Sequence, residues 1–261
     1  MLTIDLMTRI NSALDAADEV FTRFEPGRIK HTIKQGGDPV TDADLELDSV
    51  LKESLLRQDE GWLSEETKDD LNRLEMDLTW IVDPLDGTRE FTEGLPEFCA
   101  SVAAVVGGNV IAGGVYNPAT DIRVVGAEGQ GVYLNGDPVT PLSPRSLAEM
   151  TVLASRSEVR RGEWHPVSES GISVVPMGSV AYKMARVAAG LDHATWTLVP
   201  KHEWDVAGGA GLLRAAGGTA VGLAGQPLTF NQPHPLFDGV IAVPPGFEEH
   251  VQSVLAFRLT R

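Results

Sequence analysis

The chain has 261 residues, 43% hydrophobic and 22% charged, with 37 acidic against 21 basic side chains and a formal net charge of −16. That length can bury a core without staples, the composition is globular rather than disordered, and so acidic a surface repels polymeric nucleic acid and anionic lipid. No apolar run approaches the roughly 20 residues of a membrane span, and the acidic, amphipathic N-terminus is unlike a signal peptide. One cysteine, Cys99, fits a reducing compartment, so a cytoplasmic protein is expected. An anionic substrate would need cations to mediate its binding, and divalent metal ions are the usual means.

Leu6, Ile10, Ala13, Ala17, Val20 and Phe24 recur at spacings of three and four and predict an amphipathic helix over 2–24. Gly36-Gly37-Asp38-Pro39 breaks the chain. Thr41-Asp42-Ala43-Asp44 then opens a second helix with a capping-box variant, its stripe being Leu47, Val50, Leu51 and Leu55. Residues 78–82 (LTWIV) predict a buried strand, 98–106, 109–116 and 122–125 further strands, and Asn135-Gly136 a hairpin turn. The proline-rich DPVTPLSPRS (137–146) is the expected seam between halves 1–140 and 141–261. Beyond it, strands at 151–154, 172–175, 194–198, 219–222 and 239–243 alternate with helical stretches at 179–189, 204–216 and 246–256. The pattern is mixed α/β with layered sheets and helices.

Residues 80–91, WIVDPLDGTREF, place two carboxylates where a strand ends. Pro84 holds Asp83 extended, and Asp86-Gly87 turns the chain. Two carboxylates so close resist joint ionisation. A divalent cation between them removes that penalty, and Mg²⁺ suits an all-oxygen site that also meets phosphate. Gly87 and Thr88 would offer N–H groups and a hydroxyl to a phosphate if a helix follows. The same residues also read as a plain strand-end turn, with Asp86 in an Asx-turn and Thr88 as an N-cap.

Two further acidic sites bear on that choice. Ser64-Glu65-Glu66-Thr67 follows Trp62-Leu63, and Trp204-Asp205 opens VAGGAGLLRAAGG, a small-residue helix that must pack tightly. Taken singly, the Glu pair reads as solvated surface and Asp205 as a residue favoured by the helix dipole. The six histidines form no H-x-x-x-H cluster, so neither a His nucleophile nor a His metal site is indicated.

DPVTDAD (38–44), SEET (64–67), WIVDPLDGTREF (80–91) and HEWDVAGGAGLLRAAGG (202–218), in this order, resemble the inositol monophosphatase superfamily of Mg²⁺-dependent, often lithium-sensitive phosphomonoesterases. The resemblance spans nearly the whole chain and implies one phosphatase domain, a layered αβαβα sandwich of two subdomains. It implies that Glu65, Asp83 and the Leu85 carbonyl hold one Mg²⁺, that Asp83, Asp86 and Asp205 hold a second, and that a third leans on Glu65. Gly87 and Thr88 would bind phosphate, Thr88 with Asp44 would orient and deprotonate the attacking water, and Lys34 would sit near the phosphate. A homodimer is likewise implied. Two metal ions neutralise a phosphate dianion, activate water and stabilise the leaving alkoxide, and the protein then mainly positions and screens. One departure is Ser64, where many members carry Gly.

Gly87-Thr88-Arg89-Glu90-Phe91 ends in Glu-Phe, where inositol monophosphatases tend to have Asn-Phe. That ending, Ser155-Arg156-Ser157-Glu158 and Lys201-His202-Glu203-Trp204 are similar to the 3'(2'),5'-bisphosphate nucleotidase branch. The similarity implies removal of the 3'-phosphate of adenosine 3',5'-bisphosphate. Arg156 and Lys201 would meet a second phosphate, unless the two cations are plain surface charges, Ser155 would bind substrate, and Gly178-Ser179 would line the sugar or base. The alternatives are a phosphatase for inositol 1-phosphate or another sugar phosphate such as fructose 1,6-bisphosphate, and a non-catalytic regulator that binds metal and phosphate. The presence of Asp44, Glu65, Asp83, Asp86 and Asp205 together argues against the last.

Overall fold

A computed structural model of the chain describes residues 2–33, 39–142, 149–169 and 171–247. Lys34, most of the 246–256 helix and part of the expected seam lie outside the described residues.

The first helix, α1 (Leu2–Phe21), ends three residues before the expected boundary, and Phe24 still packs against the same core. A two-stranded ribbon of β1 (His31–Ile33) and β2 (Pro39–Thr41) leads into α2 (Asp42–Leu55). There the expected capping box forms, with Thr41 as N-cap and Asp44 as its N3 partner.

Seven strands follow in one sheet: β3 (Gly61–Ser64), β4 (Leu78–Asp86), β5 (Cys99–Val106), β6 (Asn109–Asn117), β7 (Ile122–Ala127), β8 (Gly131–Leu134) and β9 (Asp137–Val139). They lie in sequence order, and only the β3–β4 pair is parallel. The Asn135-Gly136 turn closes the β8–β9 hairpin with both residues at positive φ, which its backbone twist requires. The expected 78–82 strand runs on to Asp86, because pairing resumes at Asp86↔Cys99 after a register shift. Pro84 has no N–H to give the ladder, so the interruption falls on it. Asp83 and Asp86 therefore flank a β-bulge inside a strand and do not lie in a free loop, and a bulge re-aims side chains next to a site.

The short helix α3 (Thr88–Glu93) follows directly. After the seam come β10 (Thr151–Ser155), α4 (Arg156–Arg160), α5 (His165–Glu169), β11 (Ser173–Met177), α6 (Val180–Ala188), β12 (Ala194–Thr197), β13 (Lys201–His202), α7 (Glu203–Ala215), β14 (Thr219–Val221), β15 (Leu236–Phe237) and β16 (Val240–Val243). The second sheet has the order β11-β10-β12-β16-β14, while β13 and β15 pair separately.

Alternation along β4 explains the layering. Trp80 and Val82 face α1 and α2, and Ile81, with Leu63 of β3, faces α6 and α7. α6 and α7 also pack against Val240 and Ala242 of the second sheet, whose far side is covered by Trp164 and Val167. The order is helices, seven-stranded sheet, helices, five-stranded sheet, helices: an αβαβα sandwich. No helix among the described residues is long and apolar enough to cross a membrane.

The glycines of α7 allow this close stacking. A Cβ on Gly208 would lie 2.3 Å from Ser101 Oγ, and one on Gly209 2.3 Å from Met184 Cβ. Gly208→Ala is expected to lower stability by about 1–3 kcal/mol through overpacking, despite alanine's better helix propensity. Urea unfolding checks this, and an unchanged midpoint would contradict it.

Candidate metal and phosphate site

The end of β4, the start of α3 and the starts of α6 and α7 converge on one cleft of ≈ 520 Å³ between the two sheets. Asp83 is 1% exposed. Its Oδ1 accepts the Leu85 N–H at 3.1 Å, and its Oδ2 is buried with no hydrogen-bond partner among the described residues. Asp86 Oδ2 accepts from Ser179 Oγ at 2.7 Å and from the Ala181 N–H at 2.6 Å. Asp205 Oδ2 accepts the His202 N–H at 2.9 Å, which caps α7. One carboxylate oxygen from each of Asp83, Asp86 and Asp205 lies within 4.8 Å of the others.

Burial, then the charges of Glu65, Asp86 and Asp205, hold the Asp83 carboxyl well above the usual range. Burial raises Asp86 against the pull of its two donors. Asp205 is pushed up to about 7 by burial and by Asp86 and Glu65, with Lys201 opposing. Three repelling carboxylates with a bare buried oxygen among them are a poor structural core and a good cation site. An oxygen-only donor set fits Mg²⁺.

Glu65 lines the same cleft just past the end of β3. Leu85 lines it too, its carbonyl 3.0 Å from Thr88 Oγ1. Thr88 Oγ1 is also 2.9 Å from Asp44 Oδ1. Asp44 lies beneath the cleft, 1% exposed, with its Oδ2 taking Thr41 N–H at 2.7 Å and Thr41 Oγ1 at 2.6 Å. The capping box that starts α2 thus also aims Asp44 at Thr88. Gly87 precedes α3 at φ 96°, where a Cβ would lie 2.6 Å from the Glu97 carbonyl, so the turn demands glycine.

Ser155, Arg156, Gly178, Ser179 and Lys201 also line the cleft. Arg156 is engaged: its guanidinium forks onto Glu97, with Nε 2.6 Å from Oε2, and Glu97 also accepts the Gly178 N–H at 2.6 Å. Burial pushes the Glu97 carboxyl up, but these donors outweigh it and hold it below its usual value. Ser179 holds Asp86 as well as facing the cleft.

Two participants, Lys183 and Glu97, were not singled out in the sequence. Lys183 of α6 is 2% exposed and lines the cleft. Its Nζ has one long hydrogen bond, to the Met177 carbonyl at 3.4 Å, and no ion pair among the described residues. Burial and then Lys201 push it down to about 8. The signal was present, since Val180, Ala181, Met184, Ala185, Val187 and Ala188 surround α6 with apolar positions and leave a lysine nowhere to surface. Glu97 carried no local signal. His202 and Trp204, named in the sequence for their segment's similarity to the nucleotidase branch, stack 4.3 Å apart and 9° from parallel and line one wall, a pairing the sequence did not disclose. Cys99, 3.4 Å from Ser179 Oγ, has its thiol pushed up by burial and by Asp86 and is no nucleophile.

The model of the inositol monophosphatase family matches residues 5–254. The inositol-1-monophosphatase of Rhizobium meliloti is 31% identical over 203 residues, 74% of this chain and 76% of that protein. The fructose-1,6-bisphosphatase/inositol-1-monophosphatase of Thermotoga maritima is 31% identical over 207 residues, 77% of this chain and 78% of its own. The solved structure of a Thermotoga maritima IMPase superposes with a TM-score of 0.84 at 25% identity, covering 100% of this chain and 99% of that one. With the αβαβα layers, the aspartate triad and the Asp44–Thr88 pair in place, the chain belongs to the inositol monophosphatase family.

Proposed function

We propose that the chain hydrolyses a small phosphate monoester bearing a second anionic group close to the reacting phosphate, with the 3'-phosphate of adenosine 3',5'-bisphosphate as substrate. The observation that carries this reading is Lys183, a buried ammonium beside Lys201 in the wall of the cleft. Glu158, Asp86 and Glu90 offset the Lys183 charge only in part, since burial and Lys201 still push its pKa down. A buried charge so incompletely compensated is costly, and a ligand anion lowers that cost. A single phosphate would be served by the metal site and the start of α3, so two further lysines call for a second anion. The stacked His202–Trp204 pair offers a flat aromatic wall that suits a nucleobase.

Asp83, Asp86 and Asp205 would hold Mg²⁺ with Glu65 beside them. When bound, the ions neutralise phosphoryl charge and lower the pKa of water. The chain's own residues do the rest. Gly87 and Thr88 present N–H groups at the start of α3, which lack intrahelical partners. The Thr88 hydroxyl has one hydrogen to give. When it donates to Asp44 Oδ1, its oxygen can take a proton from the attacking water as its own hydrogen passes to the Asp44 carboxylate. When it donates to Leu85 O, that route is closed. Asp44 thus sets the direction of proton transfer.

The second reading is fructose 1,6-bisphosphate, favoured by the activity for which the Thermotoga maritima relative is named. It shares the second anion but lacks the base. Lys183→Met is expected to lower kcat/KM for adenosine 3',5'-bisphosphate about 100-fold, roughly 2.7 kcal/mol. For an aryl monophosphate the change should stay below about threefold. Equal losses on both substrates would assign Lys183 to the metal site or the fold and remove the second-anion reading.

A further inference from the structure

α2 carries Asp44 and, one turn later, Asp48, and residues four apart share a helix face. Asp44 serves the Thr88 end of the cleft. Asp48 serves the other side: Ser64 Oγ donates to its Oδ1 at 2.5 Å and Thr67 Oγ1 to its Oδ2 at 2.6 Å. The Glu66 N–H reaches back to Ser64 Oγ at 3.3 Å. Asp48 is half-buried and forms no ion pair among the described residues.

These bonds fall where regular structure stops. The β3–β4 ladder ends at Ser64↔Val82. A long bond from the Glu65 N–H to the Val82 carbonyl, 3.4 Å, continues it. Glu65 must nevertheless point its carboxylate toward Asp83 and Asp205, and its charge raises both. That repulsion pushes against Glu65, and the long Glu65 N–H bond to Val82 is a weak restraint on it.

We infer that Asp48 is a positioning residue that, through Ser64 and Thr67, clamps the 64–67 segment and so sets the affinity of the metal site for its cation. The inference rests on the reading of Glu65 as part of that site. It also gives Ser64, the departure from the family's glycine, a role: a glycine there would lose one of the two hydroxyl anchors. Groups that orient a ligand from behind typically change metal affinity 10–100-fold when removed.

The test is calorimetric titration of Mg²⁺, and of Mn²⁺, into metal-free protein, with the metal-induced rise in Tm as a second readout. Asp48→Asn keeps the shape but cannot accept both hydroxyls, and should weaken binding at least about tenfold. Ser64→Gly and Thr67→Val should each weaken it less. Adding Ser64→Gly to Asp48→Asn should cost little further affinity, because the two share one bond. In saturating Mg²⁺, kcat of Asp48→Asn should stay within about threefold of wild type, a split that general loosening of the fold would not produce. Unchanged affinity in Asp48→Asn, fully additive effects, or a kcat that falls with affinity and is not restored by metal would each overturn the inference. Failure of the wild-type chain to bind either ion would overturn the metal-site reading itself, and this inference with it.

Discussion

Asp83→Asn is expected to abolish turnover, with kcat/KM falling by more than about 10³-fold, or over roughly 4 kcal/mol. Asp83 is the buried carboxylate whose Oδ2 has no partner among the described residues, and one of its oxygens lies within 4.8 Å of an oxygen of each other member of the triad. Asparagine keeps the shape and can keep the Leu85 N–H contact, so the fold should survive. It also removes one of the charges that repel at the site. The metal-free variant should therefore melt no lower than metal-free wild type at pH 7.5, and Mg²⁺, which is expected to raise the Tm of wild type, should leave that of the variant unchanged. A variant that melts far below wild type without metal would show that Asp83 is structural.

The pH dependence of metal-free protein carries the second large effect. The triad's carboxyls are raised, Asp205 to about 7, by burial and mutual repulsion. A carboxylate raised in the folded state favours folding fully only below its unfolded value, near 4. That contribution is lost as pH rises through the folded value. Glu60, Asp69 and Glu97 are shifted the other way. Their contribution is complete above about 4.5 and lost only in acid, so it is constant between pH 5 and 7.5. Lys183, pushed down to about 8, stays largely protonated over that window. Metal-free protein should thus melt on the order of 5 °C higher at pH 5 than at pH 7.5, and Asp205→Asn should flatten the slope. Mg²⁺ binds deprotonated carboxylates, so its stabilisation should grow with pH and reverse the trend. A Tm of metal-free wild type that rises from pH 5 to 7.5 would contradict this account.

The sequence disclosed elements whose physics is local. The stripe of α1, the capping box of Thr41 and Asp44, the Asn135-Gly136 hairpin and the tight packing of α7 each follow from spacing or from one residue's chemistry, and each appears as expected. Asp83, Asp86 and Asp205 were legible through their motifs and do converge. What stayed hidden depends on partners distant in the chain. The β4 bulge needed the pairing of Asp86 with Cys99 across the sheet. The engagement of Arg156 by Glu97 joins residues 59 apart, and no pattern in either segment marks it. Short β3, with an open edge and four residues, carries too little periodicity to distinguish from a loop. Lys183 could have been found by asking where a lysine in an apolar helix would go.

The most direct test is phosphate release in Mg²⁺ from adenosine 3',5'-bisphosphate and from inositol 1-phosphate, compared as kcat/KM on the same preparation. A metal site flanked by two lysines and an aromatic wall predicts Mg²⁺-dependent turnover with about a 100-fold preference for the bisphosphate, roughly 2.7 kcal/mol of added transition-state binding. Equal rates, or a preference for inositol 1-phosphate, would contradict the assignment of Lys183 and Lys201 to a second anion.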